Sequence, residues 1–105
     1  MSAFETVVVY PADIGRKIID DNQSVHRMYH LPYALLRISG PITEEAARTI
    51  SRALRLYDEL ILAAEDELIV FLSMVTPTNV PFVHRRLEQL LPGHRIAAID
   101  KAVLK

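Results

Sequence analysis

The sequence predicts an α/β protein of the α+β kind, a mixed sheet containing an antiparallel hairpin with helices packed on it. Three observations predict it. Short apolar runs at Tyr33–Ile38, Leu60–Ala63 and Leu68–Met74 are too brief for helices, while the segments between them carry apolar residues at helical spacing. The acidic triplet Glu65-Asp66-Glu67 separates two of those runs, leaving room only for a tight turn. Half of the 105 residues are apolar and 24% are charged, enough to bury one core and too short for two.

The elements follow in order. Thr6-Val7-Val8-Val9-Tyr10 is a β-branched run closed by Pro11, so residues 1–12 are expected to form an N-terminal strand or arm on a single domain spanning 1–105. From Asp13, Ile14, Ile18, Ile19, Val25 and Met28 recur at helical spacing, with Gly15 and the polar Asp20–Ser24 stretch as the expected points of breakage and an end near Tyr29 or His30. Tyr33–Ile38, stopped by Gly40-Pro41, suits a central strand buried on both faces. Thr43 can cap a helix with Glu44 and Glu45 in its first turn and Ala46, Ala47, Ile50, Ala53, Leu54 and Tyr57 on its apolar face. The hairpin comes next. Phe82, Val83, Leu87, Leu90 and Leu91 then define a helix with Pro81 in its first turn and Pro92-Gly93 after it, before a last strand over Arg95–Ile99.

Charge and composition narrow the function. A formal net charge of −1 gives no overall field for nucleic acid or an anionic membrane. With no cysteine, thiolate chemistry, disulfides and Cys-based metal sites are excluded. No basic-then-apolar leader and no span of about 18 apolar residues occurs, so a cytoplasmic protein without direct membrane insertion is expected. His26 and His30 stand at i, i+4 without an evident acidic third ligand, and His84 neighbours Arg85 and Arg86, where it could modulate anion binding. Gly-rich phosphate loops, zinc signatures and a recognisable Ser–His–Asp context are absent from the sequence.

Two segments carry a family resemblance. Val25-His26-Arg27-Met28-Tyr29-His30-Leu31-Pro32-Tyr33-Ala34-Leu35-Leu36-Arg37-Ile38-Ser39 resembles the helix-to-first-strand passage of GGDEF domains, the diguanylate cyclase family. Arg55-Leu56-Tyr57-Asp58, followed after five residues by Ala64-Glu65-Asp66-Glu67-Leu68, resembles that family's RxxD motif and hairpin signature in register. The resemblance covers Asp13–Ile99 and implies a truncated, degenerate nucleotidyl-cyclase-like domain. Such a cyclase needs carboxylates at the first strand and the turn to hold two magnesium ions. Here Ser39 stands at the strand position, and Ala64 and Glu65 replace the signature glycines. The segment joining first strand to hairpin is also much shorter than in the family. The resemblance therefore implies no cyclase activity and assigns neither metal nor cofactor.

In the family, RxxD is an inhibitory site for cyclic di-GMP. Arg55 and Asp58 would project from one side of a helix end, the guanidinium bonding phosphate or a guanine Hoogsteen edge and the carboxylate accepting from guanine N–H groups. Arg86, or its neighbour Arg85, matches a further family arginine, and Arg52 and Arg48 extend the helical face of Arg55. The expected ligand-binding residues are thus Arg55, Asp58, Arg86, Arg85 and Arg52. The expected function is a catalytically inactive cyclic di-GMP receptor, acting through an unidentified protein partner, with a homodimer or a second ligand molecule completing the site. Two alternatives stand beside it: a nucleotide-independent interaction or dimerisation module of the same fold, and a STAS-like regulatory domain, which Leu36–Thr43 also resembles but which would lack the hairpin. Plainer readings accompany each residue. Arg55 and Asp58 could be an exposed ion pair worth a few tenths of a kcal/mol, Arg48 and Arg52 a solvated helix face, and Glu65-Asp66-Glu67 a polar turn.

Overall fold

A computed structural model describes residues 9–55 and 58–99. Its elements are α1 (Ala12–Met28), β1 (Tyr33–Ser39), α2 (Glu44–Ala53), β2 (Glu59–Ala64), β3 (Glu67–Ser73), α3 (Val80–Leu90) and β4 (Arg95–Ile99). The sheet order is β2-β3-β1-β4, with every neighbouring pair antiparallel. From β1 onward this is the βαββαβ arrangement of two interleaved split βαβ units. The expected α+β class, hairpin and central strand are all present. Parallel pairing enters through Tyr10, whose N–H donates to Leu60 O at 3.0 Å and whose carbonyl accepts from Leu62 N at 2.8 Å on the outer edge of β2. The rest of the expected arm, Thr6–Val8, lies outside the described residues.

Alternation along the strands divides the core between two faces. Leu36, Ile38, Leu60, Leu68, Val70 and Leu72 join Ala46 and Ile50 of α2 and Leu87 of α3 on one face. Leu35, Ile61, Ala63, Ile69 and Phe71 meet Ile19 of α1 on the other. The sheet is therefore the middle of three layers, and β3 reads as an unbroken apolar run and β1 as one interrupted only by Arg37 because both their faces are covered.

Four expectations need correction. Gly15 does not interrupt α1; it is buried, and a Cβ there would collide with Ile61 Cγ2, so the missing side chain is what seats α1 on β2. That close approach turns Gly15, Ile19 and His26 inward and leaves Ile14, Val25 and Met28 exposed instead of buried. The second helix starts on the expected cap, Thr43 Oγ1 accepting from Ala46 N at 3.0 Å, but stops at Ala53 with Leu54 extended. Its end is set by Asp58, whose carboxylate takes the Arg55 N–H at 2.9 Å and so competes with continuation of the helix. Arg55 and Asp58 accordingly sit in a loop, Arg55 does not continue a helical stripe with Arg48 and Arg52, and Tyr57 lies outside the described residues. Lastly, Phe82 is not core: it is 66% exposed on α3, where Leu87 is buried and Val83 packs partly against the core.

Candidate ligand-binding site

The site grows from the loop joining α2 to β2. Asp58 is the anchor, its side chain only 2% exposed. Its Oδ2 accepts from Arg55 N at 2.9 Å and Arg55 Nε at 3.1 Å, and its Oδ1 from Arg55 Nη2 at 3.0 Å and Ser73 N at 3.2 Å. Arg55 Nη2 also donates to the carbonyl of Ser73. The paired guanidinium–carboxylate geometry is the strong, directional form of such a contact. Both backbone groups of Ser73 are thereby used, at the end of β3 where β2 has not yet begun. A buried carboxylate taking four N–H donors is not the exposed ion pair of the plainer reading. Nor is it turned outward to accept from a ligand, so its work is to hold Arg55, whose side chain is still 40% exposed.

Ser73 is braced from the opposite face of the sheet. His26, 6% exposed, packs edge-on against Tyr33 and Phe71, with Nδ1 at 2.6 Å from Asn22 O and Nε2 at 2.7 Å from Ser73 Oγ. A carbonyl can only accept, so Nδ1 carries the proton, and in the neutral ring Nε2 accepts from the hydroxyl. The histidine is thus a satisfied core group, while His30, two residues past the end of α1, lies in the left-handed region at φ 55°. Among the described residues no group of three or more potential metal ligands occurs.

Arg55 and Asp58 open onto a cleft of about 360 Å³. Its α3 wall is Asn79, Phe82, Val83 and Arg86, and Leu72, Met74 and Val75 line it from the end of β3. Three of the five residues expected from sequence, Arg55, Asp58 and Arg86, therefore share one cleft. The other two do not line it: Arg52 is exposed on the last turn of α2 and Arg85 is exposed on α3. Arg48 pairs with Glu44 at 2.8 Å on its own helix. His84 Nε2 lies 2.9 Å from Ile96 O on β4, away from the cleft. Two arginines and the N-terminus of α3, whose first turn carries no acid, make the cleft attractive to anions. Burial raises the pKa of neighbouring Glu59, with a smaller contribution from the charge of Asp58.

Sequence reasoning missed Ser73, Asn79, Met74 and Phe82. The positions of Asn79, Phe82, Val83 and Arg86, at i, i+3, i+4 and i+7, could have shown a common face on α3. Nothing local marks Ser73.

At the far end of β3 a second depression of about 560 Å³ is lined by Pro41, Ile42, Thr43, Glu65 and Asp66. It lies at the turn of the β2–β3 hairpin. Ser39 pairs with Glu67 there, and Gly40 N donates to Asp66 O at 2.9 Å. Glu65 and Asp66 are exposed.

The interleaved antiparallel sheet, with helices on both faces, defines an α+β fold. The chain is similar to a solved crystal structure of a DGC protein from Thermotoga maritima, with a TM-score of 0.76 and 12% identity over 89% of this chain and 80% of that one. At that identity the likeness is one of fold. No protein-family description and no curated protein sequence matches the chain. Among the described residues no helix is long and apolar enough to cross a membrane.

Proposed function

We propose that the protein is a cyclic di-GMP receptor of GGDEF-like fold that binds the dinucleotide at the RxxD cleft, performs no cyclase chemistry, and passes the signal to a protein partner. The observation carrying this reading is the shared cleft of Arg55 and Arg86, in which buried Asp58 fixes one guanidinium before any ligand arrives. Preorganised arginines suit the phosphates and guanine edges of a dianionic cyclic dinucleotide. At the other pocket, Ser39 supplies no carboxylate, and Ala64 and Glu65 add a side chain and a negative charge where a triphosphate would approach.

Calorimetric titration of cyclic di-GMP into wild type and Arg55→Ala tests the reading. Micromolar binding, about −8 kcal/mol, lost by at least tenfold in the variant is the expected result. No heat from well-folded wild type overturns it. Ile14, Val25, Met28 and Tyr29, exposed on and just after α1, favour a second reading, a nucleotide-independent docking module, which that negative result would leave standing. The hairpin argues against the STAS-like alternative.

A further inference from the structure

We infer that Phe82 is the stacking platform of the cleft, selecting ligands that carry a planar base beside a phosphate; this rests on the reading of the cleft as a nucleotide site. Phe82 is 66% exposed, yet it borders the cleft that holds Arg55 and Arg86. A large aromatic left open to water gives up burial that a ligand could supply. Its placement fits a nucleotide. Phe82 and Arg86 stand at i and i+4, so ring and guanidinium project from the same side of α3 about one helical turn apart, roughly 6 Å along the axis. A base lying on the ring would direct its phosphate toward the guanidinium.

Two neighbours shape the same half of the cleft. Asn79 occupies the N-cap of α3 but makes no side-chain cap bond, so its amide is not committed to its own helix and can offer both a donor and an acceptor to a base edge. Met74 lies in the left-handed region at φ 60°, its N–H donating to Pro32 O at 2.8 Å. A non-glycine residue held there directly after Ser73 is strained backbone beside the residue that positions Arg55. The cleft thus divides into an anion half, Arg55 and Arg86, and a ring half, Phe82, Met74 and Asn79. Simple phosphate would use only the first.

The chain has no tryptophan, so Phe82→Trp introduces a single indole reporter at the proposed stacking position. Cyclic di-GMP and GMP are titrated into this variant by fluorescence, and into wild type and Phe82→Ala by calorimetry. Stacking predicts saturable quenching of the indole and a 5- to 150-fold weaker affinity in Phe82→Ala, with thermal unfolding unchanged because the ring is exposed. Equal cyclic di-GMP affinity in wild type and Phe82→Ala, without quenching, overturns the stacking role and leaves the receptor reading intact. Quenching by GMP with no cyclic di-GMP binding overturns the receptor reading and sustains stacking. Silence from both nucleotides in both assays overturns both.

Discussion

Both ends of strand β3 carry acidic residues and use them differently. At the Ser73 end, Asp58 is buried, takes four N–H donors, and fixes an arginine beside a cleft. At the Glu67 end, about 20 Å away by the rise of an extended strand, Glu65 and Asp66 are exposed on a turn with no arginine among the residues lining their depression. An acid that is desolvated and fully bonded has one geometry and can organise its neighbours. A solvated acid on a turn has many and organises nothing. The contrast explains why the RxxD end is the stronger candidate site although the hairpin depression is larger.

Removing the anchor should have the largest effect. Asp58→Ala leaves the Ser73 N–H and the Arg55 guanidinium without their acceptor, which costs about 1–3 kcal/mol and lowers Tm by roughly 5–20 °C. Cyclic di-GMP affinity should fall at least tenfold with it. Unchanged Tm would mean that the carboxylate organises nothing and would erase the contrast. Next comes Gly40→Ala, at the opposite end. Gly40 has φ 137°, and a Cβ there would lie 2.9 Å from His94 Cδ2, so the variant should lose about 1–3 kcal/mol in chemical denaturation. Its affinity for cyclic di-GMP, measured below Tm, should match wild type; a large change would mean that the two ends are coupled through β3.

The same contrast marks what could be read from sequence. Strands, hairpin, the Thr43 cap of α2 and the end of α3 were legible because each is a local pattern: Thr43 two residues after Pro41, acids between two apolar runs, Pro92-Gly93 after a helix. Arg55, Asp58 and Arg86 were reachable by register with a known motif. What escaped depends on contacts distant in the chain. Gly15 reads as a helix breaker until Ile61, 46 positions on, is found against it. Asp58 reads as a surface partner until the Ser73 N–H is found donating to one of its oxygens, and its other oxygen, by taking the Arg55 N–H, ends α2 at Ala53 rather than letting it run on to the motif. Phe82 reads as core because helical periodicity does not say which apolar residues a helix leaves open for a cleft.

Two smaller effects sharpen the comparison. Glu65→Gln with Asp66→Asn should shift stability by no more than about 0.5 kcal/mol and leave cyclic di-GMP binding unchanged, since these side chains are solvated. Weaker binding in that variant would give the hairpin pocket a part in ligand recognition. Glu59 offers the finest test, because it begins β2 directly after the anchor. Partial burial, and secondarily the charge of Asp58, raise its pKa above the ordinary value of 4.5, so the folded chain holds this proton more tightly than the unfolded chain does. Ionised Glu59 therefore costs stability above its folded pKa, and the cost disappears as pH falls below 4.5, where both states are protonated. Glu59→Gln should stabilise the protein at pH 7 by at most a few tenths of a kcal/mol, because solvent screens much of the interaction. The gain should vanish in melts below pH 4.5. A destabilising Glu59→Gln at neutral pH would instead mean that the carboxylate makes a favourable contact there, and that the RxxD end tolerates two adjacent negative charges as readily as the exposed turn does.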